Sequence, residues 1–580
     1  LKSFHKAFKD VYHTTPAEYR KQRDANIETK NLSKHEGTSY LSYDRDNAYV
    51  SLFKYLPSQA NEPAAKLSEQ SVMVKEYDIR LSGNGKPIKH TWKTLCTIGK
   101  AKEALYGPVQ EHLKMIQEIV PFRYIRFHGI FDDEMMVYRK DAEGEPIFNF
   151  TYVDKVIDFL RSIGLRPFFE LGFMPGELAD KTKTIFYKTS YVSLPQNNEH
   201  WTSLLQSFIR HLASRYGAEE IKTWYFEFWN EPDVRLFWPY SFEEFTLFYR
   251  NSYRALKSVS PDLRIGGPSI VSDSLIKSDW IERYMTYCVQ HDCRPDFITF
   301  HMYPLLLERG TLDNIDSPTG VQYAGEDYVK ETIMKVKQTL RKWGAPGAEL
   351  HVTEWNSTPH HRELTNDTCY KSAYIVKNII ENIDEVGSMG YWTVTDLLEE
   401  LPLPAETFHG GLGLITNNGV KKPGFYAYEL LAKLGDRLLD LGESYCLTMS
   451  QDGSYQLLLY HYCHFDQLYS MNDTSAIGSF NRYDVFTDSG QLNLTFRMDG
   501  IPAGNYEIRK YAINREHGSS YDLWMDMGHP EGMTPQDVQY LNMRSMPRQT
   551  VKQEAIGESF AIRSSLSPHE VQLIEIRPVY

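Results

Sequence analysis

Residues Trp224–Asp233 constrain this chain more than any other stretch. Trp224-Tyr225-Phe226-Glu227-Phe228 is a near-continuous apolar run, the pattern of a strand buried on both faces, as in a parallel sheet. Trp229-Asn230-Glu231-Pro232-Asp233 ends it, because Pro232 has no N–H for a ladder and steers Glu231 away from helix. A carboxylate, with an amide suited to a sugar hydroxyl beside it, therefore stands at the C-terminal end of a buried strand. By itself such a glutamate is equally consistent with a helix cap or a loop, so a second feature has to decide.

The pattern around it supplies the frame. From about residue 89 to 437, strand candidates begin near Lys93, Arg123, Arg166, Thr223, Leu263, Phe297, Glu349 and Gly390. Helical runs lie between them at Val109–Glu118, Tyr152–Ile163, His200–Tyr216, Phe242–Val259, Glu326–Trp343 and Tyr370–Ile383. This alternation predicts an α/β fold, a (β/α)8 TIM barrel with insertions over 89–437. An open doubly wound sheet would carry a glycine-rich phosphate turn after an early strand, and the sequence has neither that turn nor a P-loop. Short alternating runs at Ser454–Tyr462, Leu492–Met498, Tyr506–Ile513 and Val571–Ile576 predict an accessory β-sandwich over 438–580, which strands within 36–88 (Tyr40–Leu56 and Ser71–Leu81) would join.

The second feature is Glu349-Leu350-His351-Val352-Thr353-Glu354-Trp355-Asn356. Glu354 ends the seventh strand as Glu231 ends the fourth, so the two face each other across the mouth of a barrel, the rim where barrel enzymes do chemistry. Two carboxylates across a sugar-sized cleft are what glycoside hydrolysis needs, at a spacing of roughly 5–5.5 Å for retention and ~6.5–9.5 Å for inversion.

Several stretches in sequence order then carry a specific resemblance: Arg126-Phe127-His128-Gly129, Arg166-Pro167-Phe168-Phe169-Glu170-Leu171-Gly172-Phe173-Met174-Pro175, Trp229-Asn230-Glu231-Pro232-Asp233, His301-Met302-Tyr303-Pro304, Thr353-Glu354-Trp355-Asn356, Tyr391-Trp392-Thr393 and Phe408-His409-Gly410-Gly411-Leu412-Gly413. Together the chain resembles glycoside hydrolase family 39. The resemblance implies Glu231 as general acid/base and Glu354 as nucleophile of a double displacement, with Asn230 at the 2-hydroxyl. His128, His301, Tyr303, Trp392 and Glu399 would line the sugar site. Glu170, at the end of the third strand, reads from its position as a structural ion-pair or hydrogen-bond residue rather than a catalytic one. The resemblance also implies a β-xyloside or related pentoside as substrate, with no metal and no cofactor. One segment departs: Phe186-Tyr187-Lys188-Thr189-Ser190-Tyr191-Val192-Ser193-Leu194-Pro195 lacks the Gly-Asn and one proline of the family's xylosidases, which places xylose selection in question.

Residues 1–25 read differently. Leu1, Phe4 and Phe8 at helical spacing, then Thr14-Thr15-Pro16-Ala17-Glu18-Tyr19-Arg20, resemble the C-terminal remnant of an AraC-type helix-turn-helix, with the usual turn glycine replaced around Tyr12-His13. On that reading the upstream helices that contact DNA are missing, so DNA is a partner only through them. The alternative function is then a sugar-sensing module of a transcription regulator.

Charge and cysteines narrow the rest. A net charge of −13 argues against a broad nucleic-acid-binding surface. The six cysteines show no framework, and neither His360-His361 nor His461-Tyr462-Cys463-His464 has metal-site spacing. With no apolar run of membrane length, the expectation is a cytoplasmic protein acting on a small saccharide, with homo-oligomerisation suggested by the resemblance.

Overall fold

The computed structural model describes residues 72–81, 83, 85–306, 322–342, 347–487, 490–557 and 559–579. The helix-turn-helix reading of residues 1–25 and the strand expected at Tyr40–Leu56 fall outside them.

Eight parallel strands close into a barrel: β1 (Leu95–Lys100), β2 (Tyr124–His128), β3 (Arg166–Glu170), β4 (Tyr225–Glu227), β5 (Arg264–Val271), β6 (Phe297–Met302), β7 (Glu349–Trp355) and β8 (Ser388–Tyr391). Closure runs through Tyr391 opposite Cys96. Each strand lies where the apolar runs predict it, and a helix follows each one. Phe242–Val259 has the predicted bounds because Ser241 and Glu244 form a capping box at its start. Several helices were not anticipated, two of them long ones beside the barrel. Trp280–Gln290 turns only Ile281, Tyr284 and Cys288 inward. Pro423–Ala432 is buried almost all round, so it has no polar face to give a periodic signal.

Inward-facing side chains alternate along the strands and stack in layers. At the N-terminal end of the barrel Leu95, Tyr124, Phe168, Tyr225 and Phe297 form an apolar floor, with the Phe168 and Tyr225 rings stacked 4.5 Å apart. Two residues further along each strand come Arg126, Glu170 and Glu227, all fully buried. A further step reaches the mouth.

Outside the barrel lie a seven-stranded sheet, with strands from Lys86–Pro87 and from Arg437 onward, and a three-stranded sheet. The latter joins Val72–Arg80, parallel, to Gln491–Asp499, which pairs antiparallel with Ser559–Leu566. Leu447, Leu457, Phe496, Ile562 and Ile574 belong to one core shared by the two sheets. Toward the barrel, buried Arg482 reaches Asp367 at 2.6 Å, and Lys422 joins Asp367 and Asp396 at 2.8 and 2.6 Å. Among the described residues no helix is long and apolar enough to cross a membrane.

Candidate active site

The ionic layer dictates what stands above it. Arg126 of β2 is enclosed on every side, and an unpaired cation there would be costly. Its Nε donates to Glu227 Oε2 (2.5 Å) and its Nη1 to Glu354 Oε1 (2.7 Å). Its Nη2 donates to Asn230 Oδ1 (2.9 Å), Ser269 Oγ (3.1 Å) and Glu170 Oε2 (3.3 Å). One guanidinium thus ties β2, β3, β4, β5 and β7 together. Because Asn230 accepts through Oδ1, its NH2 is what it offers to the cavity above.

At the mouth, Glu231 and Glu354 face each other across the barrel with His301 between them, and one ligating atom from each of the three lies within 4.8 Å of the others. Tyr303 donates to Glu354 Oε2 at 2.8 Å. His301 Nδ1 meets Glu231 Oε1 at 2.7 Å, and its Nε2 meets Ser269 Oγ at 2.7 Å. One arrangement of protons satisfies these bonds with Glu231 as acceptor: Ser269 accepts from Arg126 and donates to His301 Nε2, and His301 presents Nδ1–H to Glu231. Glu231 itself sits at φ 42°, Trp229 at 67° and Ser269 at 59°, left-handed conformations that cost non-glycine residues about 1–3 kcal/mol each.

These surroundings split the two carboxyls. Burial, then the charge of Glu354, then that of Asp233 hold the Glu231 carboxyl well above its ordinary range. Burial also raises Glu354, but Arg126, His128 and the Tyr303 hydroxyl oppose it directly. The proton shared by the pair therefore belongs to Glu231. His301 is held neutral, pushed far below its usual value by burial and by the cations Arg126 and His128. His128 moves the other way: burial lowers it, but the charge of Glu170, bonded to its Nδ1, outweighs that.

The cavity above these groups brings together His128, Asn230, Glu231, His301, Tyr303, Glu354 and Trp392. Glu399 is the exception. Its carboxylate accepts from Tyr106 at 3.0 Å, away from the cavity, and its backbone N–H is held by Glu103 at 2.8 Å. The next residue, Glu400, lines the cavity instead, bonded to His361 at 2.9 Å and 3.6 Å from His128. These adjacent residues of a turn point opposite ways, and nothing in the local sequence chooses between them.

Phe186 and His361 also line the cavity and were not anticipated. Arg126 and Glu227 carried a legible signal, since a charge inside a strand buried on both faces requires a partner. Ser269, the hub between Arg126 and His301, carried none.

The same trio of Glu231, His301 and Glu354 has the spacing of a metal site. The donor set fits a cation poorly, because Arg126 already places a fixed positive charge 2.7 Å from Glu354.

The family model Glycosyl hydrolases family 39 matches residues 76–559. A β-xylosidase of Geobacillus stearothermophilus is 31% identical over 507 residues, covering 86% of this chain and 95% of that protein. The crystal structure of a monomeric β-xylosidase from Caulobacter crescentus CB15 matches with a TM-score of 0.77 at 26% identity, over 87% of this chain and 100% of that one. An uncharacterized HTH-type transcriptional regulator of Staphylococcus aureus is 22% identical over 228 residues, 39% of this chain and 29% of that protein. A family match running from the first described strand through the barrel into the outer sheets, beside a relative aligned over nearly its whole length, fixes the lineage: the chain is a glycoside hydrolase and belongs to family 39.

Proposed function

We propose that the protein is a retaining, exo-acting glycosidase that releases a terminal β-xylosyl or related pentosyl residue. The observation that carries this reading is the approach of Glu231 and Glu354 to within 4.8 Å, which suits the short spacing of about 5–5.5 Å used for retention and leaves no room for the water an inverting pair needs. In the first step Glu354 attacks the anomeric carbon. Glu231, whose Oε1 accepts from His301, gives its proton from Oε2 to the leaving oxygen as the glycosidic bond breaks. In the second step Glu231 takes a proton from water, the water oxygen attacks the anomeric carbon, and the ester to Glu354 opens. Asn230 bonds the 2-hydroxyl through its NH2. Exo action is supported by the loops after β3 and β8, which bond to each other (Tyr187 N–H to Glu400 O, 2.7 Å) and wall one side with Phe186, Trp392 and Glu400.

The test is stereochemical. Proton NMR of the first-formed sugar should show the starting anomeric configuration. Glu231→Ala should turn over an activated aryl β-glycoside with azide rescue and give a β-azide. Glu354→Gln should be inactive on every substrate. An inverted product removes the double displacement.

A sugar-sensing role is the second reading, favoured by the similarity to the HTH-type regulator. A module that only senses has no need of a matched acid and nucleophile. Sugar binding without turnover of any member of a nitrophenyl glycoside panel would make it the better reading.

A further inference from the structure

The cavity has two unlike halves. On the side of β7, β8 and β2 it is lined by His361, Glu400, Trp392 and His128, groups suited to sugar hydroxyls. On the side of β4, β5 and β6 it is lined by Val234, Leu236, Phe237, Val271, Leu305 and Tyr328. Polar groups on that side are few: Ser272 Oγ meets the Tyr328 hydroxyl at 3.1 Å, and one oxygen of Asp273 accepts from Lys277 at 2.7 Å. Next outward from Leu305, Leu306 is 48% exposed.

Glu231 and the segment Val234–Phe237 leave the same strand, so the carboxyl that protonates the leaving oxygen stands on the apolar side. We propose that this half of the cavity is an aglycone site for an apolar alcohol, alkyl or aryl, rather than for a second sugar. The proposal rests on the retaining exo-glycosidase reading above. A second sugar ring placed there would give up water around its hydroxyls and meet mostly hydrocarbon, with Ser272, Asp273 and Tyr328 the polar groups on that side, whereas a hydrocarbon gains from the same burial. The covalent steps are unchanged: the bond from anomeric carbon to oxygen breaks, the alcohol leaves with the proton of Glu231, and water replaces it.

The test must separate apolar contact from leaving-group chemistry. Methanol and n-octanol are alcohols of similar acidity, so methyl and n-octyl β-glycosides need the same help from Glu231. With the glycone that a nitrophenyl panel ranks first, kcat/KM for the n-octyl glycoside should exceed that for the methyl glycoside by about tenfold or more, the return from burying some two methylene groups. It should also exceed that for xylobiose. Leu236→Asn and, independently, Val234→Thr should each shrink the octyl-to-methyl ratio. An octyl-to-methyl ratio near one, or a disaccharide preferred over the octyl glycoside, overturns the aglycone assignment while leaving the glycosidase reading intact. No turnover of any nitrophenyl glycoside sinks both.

Discussion

Arg126 holds Glu354 at 2.7 Å with one guanidinium nitrogen while two others reach Glu227, Glu170 and Asn230. The nucleophile proposed here is therefore charged at the expense of a cation that three other acidic or amide groups also use. The cation stays fully ionised: burial works against it, and Glu227, Glu354 and Glu170 more than compensate.

Arg126→Met should leave three buried carboxylates without their cation, destabilising the barrel by about 3–5 kcal/mol and abolishing turnover. Arg126→Lys keeps the charge but cannot span the same partners. It should fold, lose about a hundredfold or more in kcat, and shift the acid limb of kcat/KM to higher pH, since a weaker cation contact raises the Glu354 carboxyl. Denaturant unfolding and pH profiles on an activated aryl glycoside check this, and an unmoved acid limb would separate Arg126 from the nucleophile's ionisation.

Asp233 offers the complementary measurement on Glu231. Its carboxyl, pushed up to about 7 by burial, is one of the charges that hold the Glu231 proton in place. Asp233→Asn removes that charge and should move the basic limb of kcat/KM downward while the acid limb stays. In the inactive Glu354→Gln protein, NMR titration should find the Glu231 carboxyl lowered further, because the larger neighbouring charge is gone. A basic limb indifferent to Asp233→Asn would point to another group as the acid.

How much of this was readable beforehand depends on what each residue's pattern encodes. The barrel strands were legible because buried parallel strands are unbroken apolar runs, and Glu231 and Glu354 stood out as carboxylates closing two of them. Arg126 and Glu227 broke the same runs, yet their pairing across β2 and β4 is a matter of barrel register rather than of local sequence. Glu400 was missed in favour of Glu399 because the side of a loop toward which a residue points is set by tertiary hydrogen bonds, here those of Glu103 and Tyr187. The strand Arg548–Ile556 escaped notice because it is exposed along nearly its whole length, so it has no apolar alternation.

Glu103 gives a stability prediction with a defined sign. It is fully enclosed, accepts from the Glu399 backbone N–H at 2.8 Å, and is pushed up to about 8, chiefly by burial. An unfolded glutamate ionises near about 4.3, so between that pH and about 8 the native state keeps a proton that the unfolded chain has released. Stability from this group is present in acid and falls as pH rises through that window. Glu103→Gln keeps the acceptor oxygen and removes the titration. Relative to the parent protein, its stability should improve from about pH 5 to about pH 8 by an amount on the order of a few kcal/mol. Urea unfolding at the two pH values decides it, and parallel profiles for the two proteins would count against a buried proton at Glu103.

The last prediction concerns which pentose is accepted. Phe186, which opens the segment that departs from the family pattern, lines the cavity, and the residues after it are held by a buried pair. Lys100 of β1 bonds the carbonyl of Lys188 and pairs with Asp132 at 3.0 Å, and Ser190 donates to the same Asp132 at 2.7 Å. Tyr187 and Lys188 N–H also bond the carbonyls of Glu400 and Glu399 at 2.7 and 3.3 Å. Phe186, at φ 67°, is thus fixed between two anchors. With this segment altered and His128, Asn230, His301 and Tyr303 at the cavity, aryl β-xyloside should be turned over weakly and a different pentoside, such as an arabinopyranoside, better. Lys100→Met should release the segment, raise KM about tenfold or more with a smaller effect on kcat, and narrow the discrimination between the two sugars. Because the single change leaves Asp132 buried without its cation, the double variant Lys100→Met/Asp132→Asn is the control. It should regain stability without regaining the KM. Restored KM in the double variant would mean that Lys100 only stabilises the fold, and a xyloside preference of about a hundredfold or more in the parent protein would mean that the altered loop does not select the sugar.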